Sequence, residues 1–192
     1  MKNARLASCG RRHRRAVFLA ILILVVATGV PSLADDETTE VREPSFKLSL
    51  PGTWKAVPPS EVGLWQYREE KTDAQVSVSV AFPEPPVPRD EISRFFDDFV
   101  ASRRRAVVAQ SPKCELSASE KREHLDAISG TALGACGPGG PRIGDQVVVR
   151  SDLVASFLLE ASDLSEQDFR ALFQSIVSGS GLARPRDPVR GE

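Results

Sequence analysis

The chain has 192 residues, 41% of them hydrophobic, with 25 Lys and Arg against 26 Asp and Glu. That length suits one domain with a sizeable core. A formal net charge of −1 excludes the strongly basic balance of a nucleic-acid binder.

The basic residues are unevenly placed. Lys2, Arg5, Arg11, Arg12, Arg14 and Arg15 precede an apolar run from Ala16 to Val30 (AVFLAILILVVATGV), and Pro31-Ser32-Leu33-Ala34 follows it. A basic start, a short apolar stretch and small residues at −3 and −1 describe a secretory signal peptide over 1–34, cut between Ala34 and Asp35. The run is short against the roughly 20 residues of a membrane span. A retained N-terminal anchor is the alternative reading. Cys9 lies before the run, where it cannot serve as a lipoprotein cysteine. Cleavage removes six basic residues and no acid, leaving 158 of the 192 residues with 19 basic side chains against 26 acidic, a net charge of −7. An acidic exported domain, secreted or periplasmic, is expected, with no nucleic-acid partner and no membrane span after cleavage.

Cys114 and Cys136 are the cysteines that remain, and two cysteines in an exported chain are expected to pair. The alternative is a metal or a nucleophilic role. Two thiols with one histidine, His124, make a poor zinc set.

In chain order, Asp35 to Pro44 is acidic and polar and reads as a flexible arm over 35–44. Phe46, Leu48 and Leu50 alternate with polar residues as a half-buried strand, ended by Pro51-Gly52. Trp54 follows this turn and reads as a packing anchor rather than a binding aromatic. Leu64 to Arg68 is a second strand, with Trp65 and Tyr67 on one face. Gln75 to Phe82 is a third, with Val76, Val78, Val80 and Phe82 aligned. Pro83 to Pro88 (PEPPVP) is an extended connector. Ile92, Phe95, Phe96, Phe99 and Val100 then form the stripe of an amphipathic helix, with Arg103-Arg104-Arg105 toward its C-terminus.

Lys113 to Glu120 alternates again, Lys121 to His124 reads as a charged turn, and Ala127 to Cys136 runs back. A hairpin centred near Leu125 places Cys114 and Cys136 eleven residues to either side, facing each other at a separation that suits a disulfide. Gly137 to Gly144 is a Gly/Pro loop without phosphate-binding spacing. Gln146 to Arg150 and Leu153 to Glu160 form a last hairpin. Ser165 to Asp168 has the form of a capping box, with Leu164 and Phe169 as a staple. Phe169, Leu172, Phe173, Ile176 and Val177 carry the second helix, and Gly179 sits where a C′ glycine belongs. The tail over 183–192 is charged and reads as disordered. The order β-β-β-α-β-β-β-β-α predicts a single α+β domain over 45–182, an antiparallel β-sheet with helices on one or both faces.

Two stretches carry a family resemblance. "FKLSLPGTWKAVPPSEVGLWQY" resembles the opening of PsbP-like domains, and "QVVVRSDLVASFLLEASDLSEQDFRALFQSIVSG" resembles their closing hairpin and final helix. The superfamily includes the PsbP protein of photosystem II, a Ran-binding import factor and many bacterial secreted proteins. The resemblance spans about Phe46 to Leu182. It implies an αβα sandwich around an antiparallel sheet and an accessory or binding role rather than an enzyme, with no catalytic set to carry over.

The residues themselves offer no reaction. His124 stands in a charged turn, no GxSxG elbow is present, and Asp97 and Asp98 point to different sides of their helix. No catalytic, cofactor-binding or metal residue is assigned, and no cofactor is expected. The expectation is an exported, non-enzymatic interaction or assembly-accessory module of the cell envelope. Its partner surface is drawn from Trp65, Tyr67, Arg103 and Arg104, and its partner is another envelope protein or a small ligand. A small-molecule or lipid binder, or an undetected hydrolase, is the alternative.

Overall fold

Period-two patterning builds the sheets of the molecule. The computed structural model describes residues 37–58, 63–110 and 112–182. The expected signal peptide, the cleavage point expected at Ala34 and Asp35, and the tail over 183–192 lie outside the described residues.

β1 (Thr38–Glu43) pairs antiparallel with β2 (Phe46–Pro51), Val41 opposite Leu48. The expected flexible arm is therefore a strand over most of its length. Its acidic composition conceals an alternation in which Thr39, Val41 and Glu43 turn inward and Thr38, Glu40 and Arg42 stay exposed. Side-chain contacts hold it: Glu40 pairs with Lys47 at 2.8 Å, and Thr39 Oγ1 donates to the Gly52 carbonyl while accepting from the Trp54 amide. The hydrogen bond from Lys47 is the main reason the Glu40 carboxyl titrates below the usual carboxylate range. β11 (Gly181–Leu182) lies on the other side of β2 and completes a three-stranded sheet.

Gly52 turns the chain with φ +92°, and Trp54 opens β3 (Trp54–Val57), a short strand that the sequence reading did not separate from the turn. Trp54 is buried, and its indole nitrogen donates to the Pro51 carbonyl at 2.7 Å, as expected of a packing anchor. β3, β4 (Leu64–Glu69) and β5 (Gln75–Ala81) form a meander. A single 3-10 turn at Arg89–Glu91 leads into α1 (Ile92–Gln110).

A second meander follows: β6 (Cys114–Leu116), β7 (Glu120–Glu123), β8 (Ala127–Cys136), β9 (Arg142–Arg150) and β10 (Leu153–Ala161). The large sheet has the order β3-β4-β5-β10-β9-β8-β6, with β7 also on β8, and every ladder is antiparallel. α1 carries the chain from β5 to the far edge, and the second meander returns until β10 pairs with β5. β10 is accordingly central, and seven of its nine residues are buried.

The two helices lie on opposite faces. α1 packs Ile92 and Phe96 against Ile128, Val147, Val149 and Val154. α2 (Glu166–Gly179), together with β2, packs Phe169, Phe173 and Ile176 against the inward residues of β5 and β10. This is the α+β sandwich that the sequence predicts. Ser165 caps α2, accepting from the Asp168 amide and donating to the Asp168 carboxylate. Gly179 does not act as a left-handed C′ residue. It ends α2 where a Cβ would come within 2.8 Å of Ser49 Cβ, so close passage of β2 selects glycine there.

Gly144 departs from the expected loop in the same way. β9 begins at Arg142, and Gly144 lies under the Phe173 ring, where a Cβ would meet ring carbons at 2.6 to 2.9 Å. Gly144→Ala is expected to cost about 2 kcal/mol through overpacking, and Phe173→Leu added to it should return part of that. Urea midpoints of the single and double variants check this.

Candidate functional site

α2 and the small sheet cover the half of their face that belongs to β4, β5 and β10. Beyond Gly144 the same face of β8, with β6 and β7 outside it, is left uncovered. A groove of about 980 Å³ runs there between α2 and the sheet edge. Its floor is Ser129, Thr131 and Leu133 of β8 with Gln146 of β9. One wall is α2, through Glu166, Arg170, Phe173 and Val177. The other is the rim of Lys113, Glu115, Glu120 and Arg122.

Register explains which side chains enter it. Ser129, Thr131 and Leu133 stand opposite Val148, Gln146 and Gly144, the β9 positions that face α2. Their β7 partners, Arg122 and Glu120, share that face. The hairpin turns at Leu125 and Asp126, so the stretch expected as a charged turn is instead the strand β7, and the turn centre lies where the cysteine spacing requires. Cys114 faces Cys136 directly, and the two are joined by a disulfide. That bond ties β6 to the end of β8 beside the groove.

The charges differ in their commitments. Arg170 pairs with Glu166 at 2.9 Å, and Arg142 donates to the Leu164 carbonyl. Among the described residues, Lys113, Glu115, Glu120 and Arg122 form no ion pair. His124 Nε2 lies 3.2 Å from Ser129 Oγ at the groove mouth. Ser129 sits inside the β7–β8–β9 ladders, whose amides serve the sheet rather than a developing oxyanion. No cluster of three or more His, Cys, Asp and Glu is placed to hold a metal among the described residues. No described helix is long and apolar enough to cross a membrane.

The four residues expected to form a partner surface do not come together. Trp65 and Tyr67 face the α2 side. Trp65 is half-buried and meets Phe46 edge-on at 5.0 Å, and Tyr67 is buried in the core. Arg103 and Arg104 belong to α1, on the opposite face. Arg103 makes a two-pronged contact with the buried Asp145, Nη2 to Oδ1 at 2.7 Å and Nε to Oδ2 at 3.1 Å. Arg104 donates to the Ser117 carbonyl. Both arginines fasten the helix to the sheet. The signal for Arg103 was present: it stands seven residues after Phe96, on the apolar stripe, and Asp145 interrupts an apolar alternation of Ile143, Val147 and Val149. The groove rim was missed because its charges alternate with residues turned to the other face, and only the ladder reveals which is which.

Burial, with the Glu43 carboxylate beside it, pushes the Tyr67 hydroxyl up to about 12. A phenol whose folded value exceeds its unfolded value near 10 favours the fold below that pH. The contribution is expected to fade as pH rises from about 10 to about 12. Tyr67→Phe should flatten that part of the stability profile, as read from urea midpoints across the range.

No family model matches the chain, and no curated protein matches it. Solved structures do. The solution structure of cyanobacterial PsbP (CyanoP) from Synechocystis sp. PCC 6803 is 16% identical and aligns over 76% of this chain and 91% of its own, with a TM-score of 0.55. The fold is PsbP-like. The Saccharomyces cerevisiae Ran-binding protein Mog1p also aligns, 10% identical over 76% of this chain and 95% of its own, with a TM-score of 0.46. The PsbP-like fold supplies the sandwich around which the groove is built. The groove's residues belong to this chain.

Proposed function

We propose that this chain is an exported, non-catalytic accessory module of the cell envelope that holds another protein in the groove between α2 and the β6–β8 edge. The observation that carries the reading is the groove itself: a trough of about 980 Å³ bounded by charges of both signs, with a floor of Ser129, Thr131 and Gln146 suited to hydrogen bonding. Leu133, Phe173 and Val177 add apolar surface beside these polar groups, a mixed lining rather than the predominantly apolar one a lipid site would call for. Export is supported by the Cys114–Cys136 bridge, since disulfides persist in oxidising compartments, and by the N-terminal pattern of the sequence.

The test is site-directed photo-crosslinking in the native envelope. A photoreactive residue replacing Gln174 on the groove wall should yield a discrete protein adduct, while one replacing Asp98, on the exposed side of α1, should not. Equal labelling from both positions, or no adduct from the groove, would overturn the proposal. Capture of a small molecule or lipid alone would favour the alternative binder.

A further inference from the structure

We infer that the groove's occupant is an extended polypeptide segment whose charges run acid, base, base, acid, the complement of the β6–β7 rim; this rests on reading the groove as a protein-binding site. The rim carries Lys113, Glu115, Glu120 and Arg122 in that order, a base at each end and two acids between.

Strict alternation would not produce this set. Glu115 and Glu120 are five residues apart, so on a regular strand they would face opposite sides. Leu116 stands opposite Gly134 while Glu120 stands opposite Thr131, so four steps along the outer strands match three along β8. The extra residue is a β-bulge within Ser117–Ser119, and it re-aims everything after it. Glu120 and Arg122 are thereby brought to the groove face with Glu115. Lys121 is turned to the other face, where it pairs with Asp97 and lies over the Phe96 ring. Arg104, donating to the Ser117 carbonyl, pins the bulge from the α1 side. The four rim charges are left without ion pairs among the described residues.

Length selects the class of occupant. The rim runs alongside β8 from Ser129 to Cys136 and one residue past its end to Gly137, eight residue steps or on the order of 27 Å. A small molecule does not span both end cations, and the two carboxylates between them oppose a polyanion. An extended peptide of nine residues spans it, presenting alternate side chains to the rim and backbone groups to Ser129, Thr131 and Gln146.

The test uses two labelled nonapeptides against the full chain, with fluorescence anisotropy at low salt. One has glutamate at its first and ninth positions and lysine at its third and seventh. The other exchanges the two residue types, and both have serine or threonine elsewhere. Composition and net charge are identical, so only charge order differs. Exposed pairs are individually weak, so the set of four should favour the first peptide by about tenfold, shrinking with added salt. A chain with Lys113→Glu, Glu115→Lys, Glu120→Lys and Arg122→Glu should reverse the preference. These positions are exposed, and an unchanged circular dichroism melt confirms that the variant folds. Equal affinities, or a preference for the second peptide, would overturn the inference. Binding of neither peptide while groove crosslinks persist would overturn the charge order alone. Loss of both would remove the groove reading as well.

Discussion

Arg103→Met is expected to lower folding stability by about 3 kcal/mol. The guanidinium is the partner of Asp145, whose side chain is only 9% exposed, and the contact is two-pronged. Methionine keeps the apolar stem of the arginine but leaves a carboxylate on a sheet face otherwise made of Ile143, Val147 and Val149, beneath α1. An uncompensated buried charge is the costly case. Asp145→Asn added to Arg103→Met should recover part of the loss by removing that charge, and the double-mutant cycle measures the coupling. Urea denaturation reads all three variants. A loss below about 1 kcal/mol would place this pair with ordinary surface ion pairs.

Removing the disulfide, by Cys114→Ser with Cys136→Ser or by a dithiol reductant, should also cost about 3 kcal/mol, since the bridge spans 22 residues of sequence. The effect should be local before it is global. β6 has three residues and among the described strands pairs only with β8, so hydrogen exchange should rise first in β6 and the loop at 137–141, while β9 and β10 stay protected. Lys113 and Glu115 flank Cys114, so the same loss should weaken whatever the groove holds. An unchanged urea midpoint after reduction would show the bridge to be dispensable.

Much of the fold is legible in the chain because burial imposes periodicity. Phe46-Leu48-Leu50, Val76-Val78-Val80 and the stripes at Phe96 and Phe173 each name the face that a strand or helix buries. Where composition and periodicity compete, reading fails. The acids of β1 suggested a loose arm, and the charges of Lys121 to His124 suggested a turn, although β1 is a strand and Lys121 to Glu123 lie in the exposed strand β7. The residues expected at a partner surface lie apart for a related reason. An arginine run at a helix end has the same composition whether it is solvated or seated on an acid across the sheet, and Asp145 is 42 residues from Arg103.

The sequence by itself determined most of the strands, both helices, the cysteine pairing and the α+β class, because each is written in local periodicity or in neighbours within a hairpin. Only the tertiary structure decided that β10 pairs with β5, that the helices take opposite faces, and that one half of the α2 face stays open as a groove. It also decided the groove's chemistry. A single extra residue at Ser117–Ser119 shifts the register by one, and in a strand of period two that shift exchanges the faces of every side chain beyond it.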